Sequence, residues 1–373
     1  MKAQRACIGA LSLAVALAVG LADCSKSSTP APTSTATPTA APTNSPTPTP
    51  NGSTTPTAVP TVSPTPSATP LTLSYSAIGA SDAVGYGASI PCANPPLVAN
   101  PTCPGGTGYV PELAKLYAAA GYGVTLNDLG ISGAVIGSDV LALGNLYGPV
   151  GSPDQCAPRG PSDAIPGDFI DNELPNVAPD ATLITIFAGG NDTNAVVNAL
   201  GCGAGGSTLG SQQAFLATWI ANFGVDFQNL VTAVHVKAPN AKIVVANVPN
   251  FAGIPYAAGF STAVKGALQA FAVGIDTSAI NVAAGAPLSL PTVDLLCNAQ
   301  SYNPANFSSD GFHPNDAGYL EFADLFYAQA TAATPTLPAS SCSYMTLAVR
   351  AREPLTAPVK LWSEPVGFRL HRR

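Results

Sequence analysis

The chain has 373 residues, a formal net charge of −7, only 9% charged residues and 37 prolines. Between residues 71 and 343 there are eighteen Asp or Glu against five Lys or Arg, a balance that argues against nucleic acid and against electrostatic docking on anionic lipid. The length exceeds that of one compact domain, and the composition divides it unevenly.

Residues 1–24 read as a signal peptide, with Lys2 and Arg5 ahead of an apolar stretch at 6–22 that is short for a membrane span. Cys24 follows in "LADC". Lipid attachment at Cys24 and simple cleavage nearby both fit, with Asp23 standing where a bacterial lipobox has a small residue. Either way the mature chain is expected to be exported, secreted or tethered to the cell surface, and a lipidated Cys24 is the route by which it would attach to a membrane. Residues 25–70 are almost entirely Pro, Thr, Ser and Ala, with Lys26 as their only charge. Such a tract buries too little apolar surface to offset its ordering entropy, so a solvated linker is expected.

Six further cysteines lie in the body: Cys92, Cys103, Cys156, Cys202, Cys297 and Cys342. An even count in an exported chain, with no CxxC pair or Cys/His cluster, favours disulfides over a metal site. Spacing leaves the connectivity open, with Cys92–Cys103 the simplest pair. Residues 344–373 carry Arg350, Arg352, Lys360, Arg369, Arg372 and Arg373, several prolines and no periodicity, and are expected to be a poorly ordered basic appendix.

From residue 71 onward, short apolar runs with turn signals at their ends alternate with longer segments of helical spacing. The runs are "LTLSYSAIGAS", "YGVTLNDLGISG", "ATLITIFAGGND", "AKIVVANVPN" and "LPTVDLLCN". Helical patterns cover 109–122, closing at Gly121, then 211–240, 261–285 and 314–330, the last opening near Pro314. Continuous apolar strands alternating with helices predict an α/β domain over 71–343, a parallel sheet covered on both faces. Ligands of such sheets bind beyond the carboxyl ends of the strands, and that is where the polar residues of this chain collect.

Ser81 ends the first run. A serine hydroxyl is a poor nucleophile until a base takes its proton, and the chain has three histidines to offer. His371 lies in the tail, and His235 sits inside a helical pattern and reads as structural. His313 lies in a Gly/Pro/Asn-rich loop with Asp310 three residues upstream, close enough for a carboxylate to fix the imidazole tautomer. Asn191 in "GGND" offers a side-chain amide, and Gly133 in "GISG" and Ser81 offer backbone N–H groups, to an oxygen that gains negative charge.

Ser81 in "GASDA", Gly133 in "ISGA", Asn191 in "GGND" and the Asp310/His313 pair in "DGFHPNDAGY" resemble the four blocks of the SGNH (GDSL-type) hydrolase family. The first block departs from Gly-Asp-Ser-Leu, with Ala80 at the Asp position and Asp82 at the Leu. The resemblance implies a flavodoxin-like three-layer α/β/α sandwich with a five-stranded parallel sheet, and hydrolysis of carboxylic esters (lipid or small acyl) without metal or cofactor. It implies Ser81 as nucleophile, His313 as base, Asp310 as its orienting acid, and Ser81, Gly133 and Asn191 as the oxyanion hole. A monomer acting on a small-molecule or lipid ester is expected. Two alternatives stand beside it: a carbohydrate O-acetyl esterase of the same family, and a catalytically inactive surface binding module. The loops at 90–106, 147–167 and 250–260 are expected to shape the pocket, and their apolar character leans toward acyl chains.

Overall fold

The computed structural model describes residues 71–92, 102–148, 152–348 and 354–355. The expected signal segment, Cys24, the linker and most of the basic tail lie outside these residues. Five strands make one sheet: β1 (Leu71–Gly79), β2 (Tyr122–Asp128), β3 (Leu183–Phe187), β4 (Lys242–Ala246) and β5 (Thr292–Val293). Their order is β2-β1-β3-β4-β5 and every neighbouring pair is parallel, the flavodoxin-like arrangement.

Burial follows position in the sheet. All five residues of the central β3 are buried, and its Ile184, Thr185 and Ile186 suit a pleated strand covered on both sides. Edge strand β2 alternates instead, with Gly123 and Thr125 exposed. The chain reverses its direction of travel across the sheet between β1 and β3. Their carboxyl ends lie side by side, Gly79 opposite Phe187, which makes this the natural crevice for a ligand.

Seven α-helices are described: α1 (Ser81–Val84), α2 (Tyr109–Ala119), α3 (Ser138–Asn145), α4 (Gly190–Gly201), α5 (Leu209–Lys237), α6 (Thr262–Ile275) and α7 (Asp316–Thr331). Helices α2 and α7 pack on each other and on the sheet, while α5 packs on α6, and α4 contacts α3, α5 and α6. Helix α5 opens with a capping box: Thr208 Oγ1 accepts from Ser211 N at 3.1 Å, and Ser211 Oγ accepts from Thr208 N at 3.3 Å. Its inner face buries Phe223, Phe227, Leu230 and Val234, spaced by three and four residues, each worth about 1.5–3 kcal/mol of apolar burial.

Several expectations need correction. Helices α3 and α4 were not expected. Residues 192–193 and 195–201 of α4 are all buried, so it turns no face to solvent, and its opening residues include the turn-forming Gly190, Asn191, Asp192 and Asn194. The helical pattern expected over 261–285 leaves α-geometry after Ile275. Asp276 there turns its carboxylate inward to accept from Val248 N at 3.0 Å, and tighter and wider turns continue to Ala284. The appendix expected from Tyr344 onward is instead packed on the domain at Tyr344–Ala348 and Leu355. The Tyr344 ring stacks on Tyr302 at 4.3 Å, and Gln269 pairs with both backbone groups of Ala348 at 2.7 and 3.1 Å. Gln212 does the same for Leu355, at 2.8 Å each. Side-chain amides replace a regular ladder here, so the segment has no periodicity to read.

Among the described residues three disulfides are formed: Cys92–Cys103, as expected, Cys156–Cys202 and Cys297–Cys342. The last ties the segment before Tyr344 to the loop after β5.

Candidate active site

Strand β1 ends at Gly79, and after Ala80 the chain turns directly into the four-residue α1, whose first residue is Ser81. The turn is closed by Ala83 N and Val84 N on Ala80 O, at 3.1 and 3.3 Å. The long loop after β5 returns across the sheet edge and is pinched shut by Ser308 N donating to His313 O at 2.8 Å, just before α7. That pinch sets His313 over α1. His313 Nε2 lies 2.8 Å from Ser81 Oγ, and Nδ1 lies 2.7 Å from Asp310 Oδ2. Both Ser81 and His313 are 4% exposed.

The other oxygen of Asp310 accepts from Ser308 Oγ at 2.9 Å, Phe312 N at 2.8 Å and His313 N at 2.9 Å. Burial pushes the Asp310 carboxyl up, but the hydrogen bonds and charge of His313, with these N–H donors, outweigh it and hold the carboxyl below its usual range. The three groups thus form one continuous hydrogen-bonded line, a carboxylate orienting an imidazole that faces a hydroxyl.

Gly133 sits on the turn after β2, closed by Ala134 N on Ile131 O at 2.9 Å. Its φ of +88° is a left-handed conformation that glycine adopts without strain. Asn191 is the second residue of α4, just past β3, and its Nδ2 donates to Ala134 O at 2.9 Å. One N–H of that amide therefore anchors the Gly133 turn, leaving a second for another acceptor. Ala80, Asp82, Ala134 and Asn191 line one cleft, whose remaining wall includes Phe169, Phe187, Phe251, Phe312 and Phe322. Of the loops expected to shape it, 250–260 contributes Phe251, whereas 147–167 is not in its lining. Arg159 instead turns that loop back onto α3 and its end, donating to Gly144 O at 3.0 Å and Tyr147 O at 2.9 Å. Much of 90–106 lies outside the described residues. His235 is exposed on the last turn of α5, and His371 lies outside the described residues.

Glu173 was missed in the sequence. It is 1% exposed and accepts from Gly79 N at 2.8 Å and Ile131 N at 3.2 Å, joining the end of β1 to the Gly133 turn. Burial drives its carboxyl well above the ordinary range. No motif marks it, because its partners are backbone groups far away in the chain. Asp192 works similarly: its Oδ1 accepts from Ile136 N at 3.0 Å, and burial pushes it up to about 7. Among the described residues, no cluster of His, Cys, Asp and Glu suits a metal ion.

A parallel sheet with a hydroxyl, an imidazole and a carboxylate aligned at its switch-point edge, and with amide donors beside an apolar cleft, has the layout of a serine-type hydrolase. The model of the GDSL-like lipase/acylhydrolase family matches residues 77–320, and the chain belongs to that family. It is an ester hydrolase. Among solved structures it is similar to an extracellular lipase from Streptomyces rimosus, at 21% identity and TM-score 0.44 over 69% of this chain and 100% of that one. A phospholipase A1 from Streptomyces albidoflavus shows 19% identity and TM-score 0.43, over 69% and 100%. Axe2, an acetylxylan esterase from Geobacillus stearothermophilus, shows 16% and 0.37, over 72% and 98%. No curated protein matches the chain.

Proposed function

We propose that this chain is an exported serine esterase that cleaves lipid or small acyl esters through an acyl-enzyme, with Ser81 as nucleophile. The observation that carries this reading is the unbroken line from Asp310 through His313 to Ser81, at 2.7 and 2.8 Å. His313 Nε2 takes the Ser81 proton as Oγ bonds to the ester carbonyl carbon. Asp310 holds the imidazole in register and balances the imidazolium. The oxyanion is met by the N–H groups of Ser81 and Gly133 and by the Asn191 amide. Collapse expels the alcohol, which leaves with the proton from His313. Water, activated by the same imidazole, then releases the acid and restores Ser81.

The phenylalanine-lined cleft beside Asn191 supports an apolar acyl group. Export rests on the basic-then-apolar residues 1–22, and three disulfides agree with an oxidising compartment. Labelling of cells with a radioactive fatty acid tests attachment through Cys24.

The test of function is turnover of p-nitrophenyl esters from acetyl to palmitoyl, with Ser81→Ala and His313→Ala alongside. Hydrolysis that both substitutions abolish is expected, with acyl chains beyond acetyl preferred. Strict acetyl preference with acetate release from xylan would replace the lipid reading by the carbohydrate one. A folded chain that neither turns over nor labels with a fluorophosphonate would be a binding module.

A further inference from the structure

The segment that follows the nucleophile does more than leave the site. Tyr86 lies between two glycines, and residue 86 is held at both backbone atoms: its N–H donates to Ser81 O at 2.8 Å, and its carbonyl accepts from Tyr319 Oη at 2.7 Å. Gly87 has φ +92°, and a Cβ there would fall 2.6 Å from Pro314 O and 3.0 Å from His313 Cβ, so the strand of chain lies flat against the loop that carries the imidazole. Further along, Ser89 N and Oγ donate to Asp316 at 2.7 and 2.6 Å, Thr107 Oγ1 donates to Asp316 at 2.8 Å, and Cys92–Cys103 closes the strap. The outcome is a ring set against the catalytic imidazole: the Tyr86 and His313 centroids are 4.5 Å apart at 53°. Phe312 meets the imidazole edge-on from its own loop, at 4.9 Å and 81°.

We propose that Tyr86 is a positioning residue for the ester-cleaving reaction, acting through His313. Its ring screens the base from water and favours the imidazolium that exists only after Ser81 has given up its proton. The inference rests on the esterase reading above. An aromatic face within about 6 Å of a cation attracts it by roughly 0.5–2 kcal/mol, which corresponds to about a 3- to 30-fold change in rate or equilibrium. The attraction is absent while the imidazole is neutral, so it acts on the transition state rather than on substrate binding. The carboxylates facing the imidazole are Asp310 on its own loop and Asp82 on α1, and α7 brings Tyr319 behind the strap.

The test compares Tyr86→Phe with Tyr86→Leu in the full chain. Both keep the backbone bonds of residue 86, and leucine keeps apolar bulk without an aromatic face. On p-nitrophenyl butyrate, Tyr86→Phe is expected to retain kcat within about twofold, while Tyr86→Leu loses about 3- to 30-fold in kcat with KM little changed. In NMR titrations of the histidine side chains, His313 of the leucine variant should give up its proton at lower pH than in the phenylalanine variant, by about half a pH unit or more. Equal kcat and equal titration for the two variants would overturn the proposal, as would a loss confined to KM. The titration needs no turnover, so a failure of the esterase reading shows separately, as absent hydrolysis in the wild-type chain.

Discussion

At the residue scale, chemistry depends on atoms a few ångströms apart. Ser81 and His313 are almost fully buried and 2.8 Å apart, so the proton transfer proposed between them would be direct. Ser81→Ala or His313→Ala should each lower kcat about 10⁶-fold, and Asp310→Asn about 10⁴-fold, because the imidazole then loses its tautomer control. These losses should not add in the double variant, which steady-state kinetics on one chromogenic ester will show. Under the proposed oxyanion role, Asn191→Ala is expected to lower kcat by about 100-fold with KM little changed. A rise in KM alone would place Asn191 in substrate binding instead. The departures at the first block acquire a physical meaning here as well. Ala80 offers no polar side chain, and the end of β1 is instead secured by the buried Glu173 on Gly79 N. Glu173→Ala should therefore destabilise the chain by roughly 1–2 kcal/mol in urea unfolding, because Gly79 N loses this buried acceptor, while Ile131 N keeps Gly79 O at 3.2 Å.

At the element scale, strands and crossovers deliver these residues. Ser81 follows β1 and Asn191 follows β3, and the two strands are neighbours although more than a hundred residues separate the two side chains. Helix α4 turns Asn191 back onto Ala134, so β2, β3 and their turns share one anchor. The loop carrying His313 is framed differently, by its own pinch and by the N-cap of α7, where Asn315 accepts from Ala317 N and Gly318 N at 3.0 and 3.2 Å. Cys297–Cys342 joins residues 45 apart, just before the segment that stacks Tyr344 on Tyr302. Replacing both cysteines with serine should cost about 2–4 kcal/mol in chemical unfolding and speed amide exchange at Tyr344–Ala348. Exchange there as slow as in the wild type would mean that Gln269, Asn250 and Tyr302 suffice to hold the segment.

At the scale of the whole molecule, several carboxyls are enclosed with no cationic partner among the described residues. Burial pushes Asp128 and Asp192 up to about 7. The folded chain thus keeps their protons where the unfolded chain, with carboxyls near 4, has already lost them. Their contribution is fully present below about pH 4 and is lost as pH rises to about 7. Asp128→Asn escapes that decline while its Oδ1 can still accept from Gly130 N. Its stability relative to the wild type should rise by on the order of 2 kcal/mol between pH 5 and pH 8, read from urea midpoints at each pH. A constant difference would show that Asp128 ionises as an exposed carboxyl does.

The amino-acid sequence by itself determined the parallel α/β alternation and the strand ends that matter, because apolar runs and turn residues are local signals. It also singled out Ser81, Gly133, Asn191, Asp310 and His313 as candidates, since few residue types suit the chemistry proposed; Ser81, Gly133 and Asn191 follow strand patterns, and Asp310 and His313 lie in the loop before α7. Helix α4 was hidden because its opening residues, with Gly190, Asn191, Asp192 and Asn194 among them, signal a turn after a strand. The packed residues Tyr344–Ala348 and Leu355 were hidden because their backbone is paired by Gln269, Asn250 and Gln212 from distant helices and loops. Glu173 was hidden for the same reason, its partners being N–H groups 94 and 42 residues away. What the tertiary structure alone decided was how the strand-end residues meet: which imidazole reaches the hydroxyl, which carboxylate ties β1 to the Gly133 turn, and which ring lies against the base. Those contacts are made by chain closure in three dimensions, and no run of neighbouring residues records them.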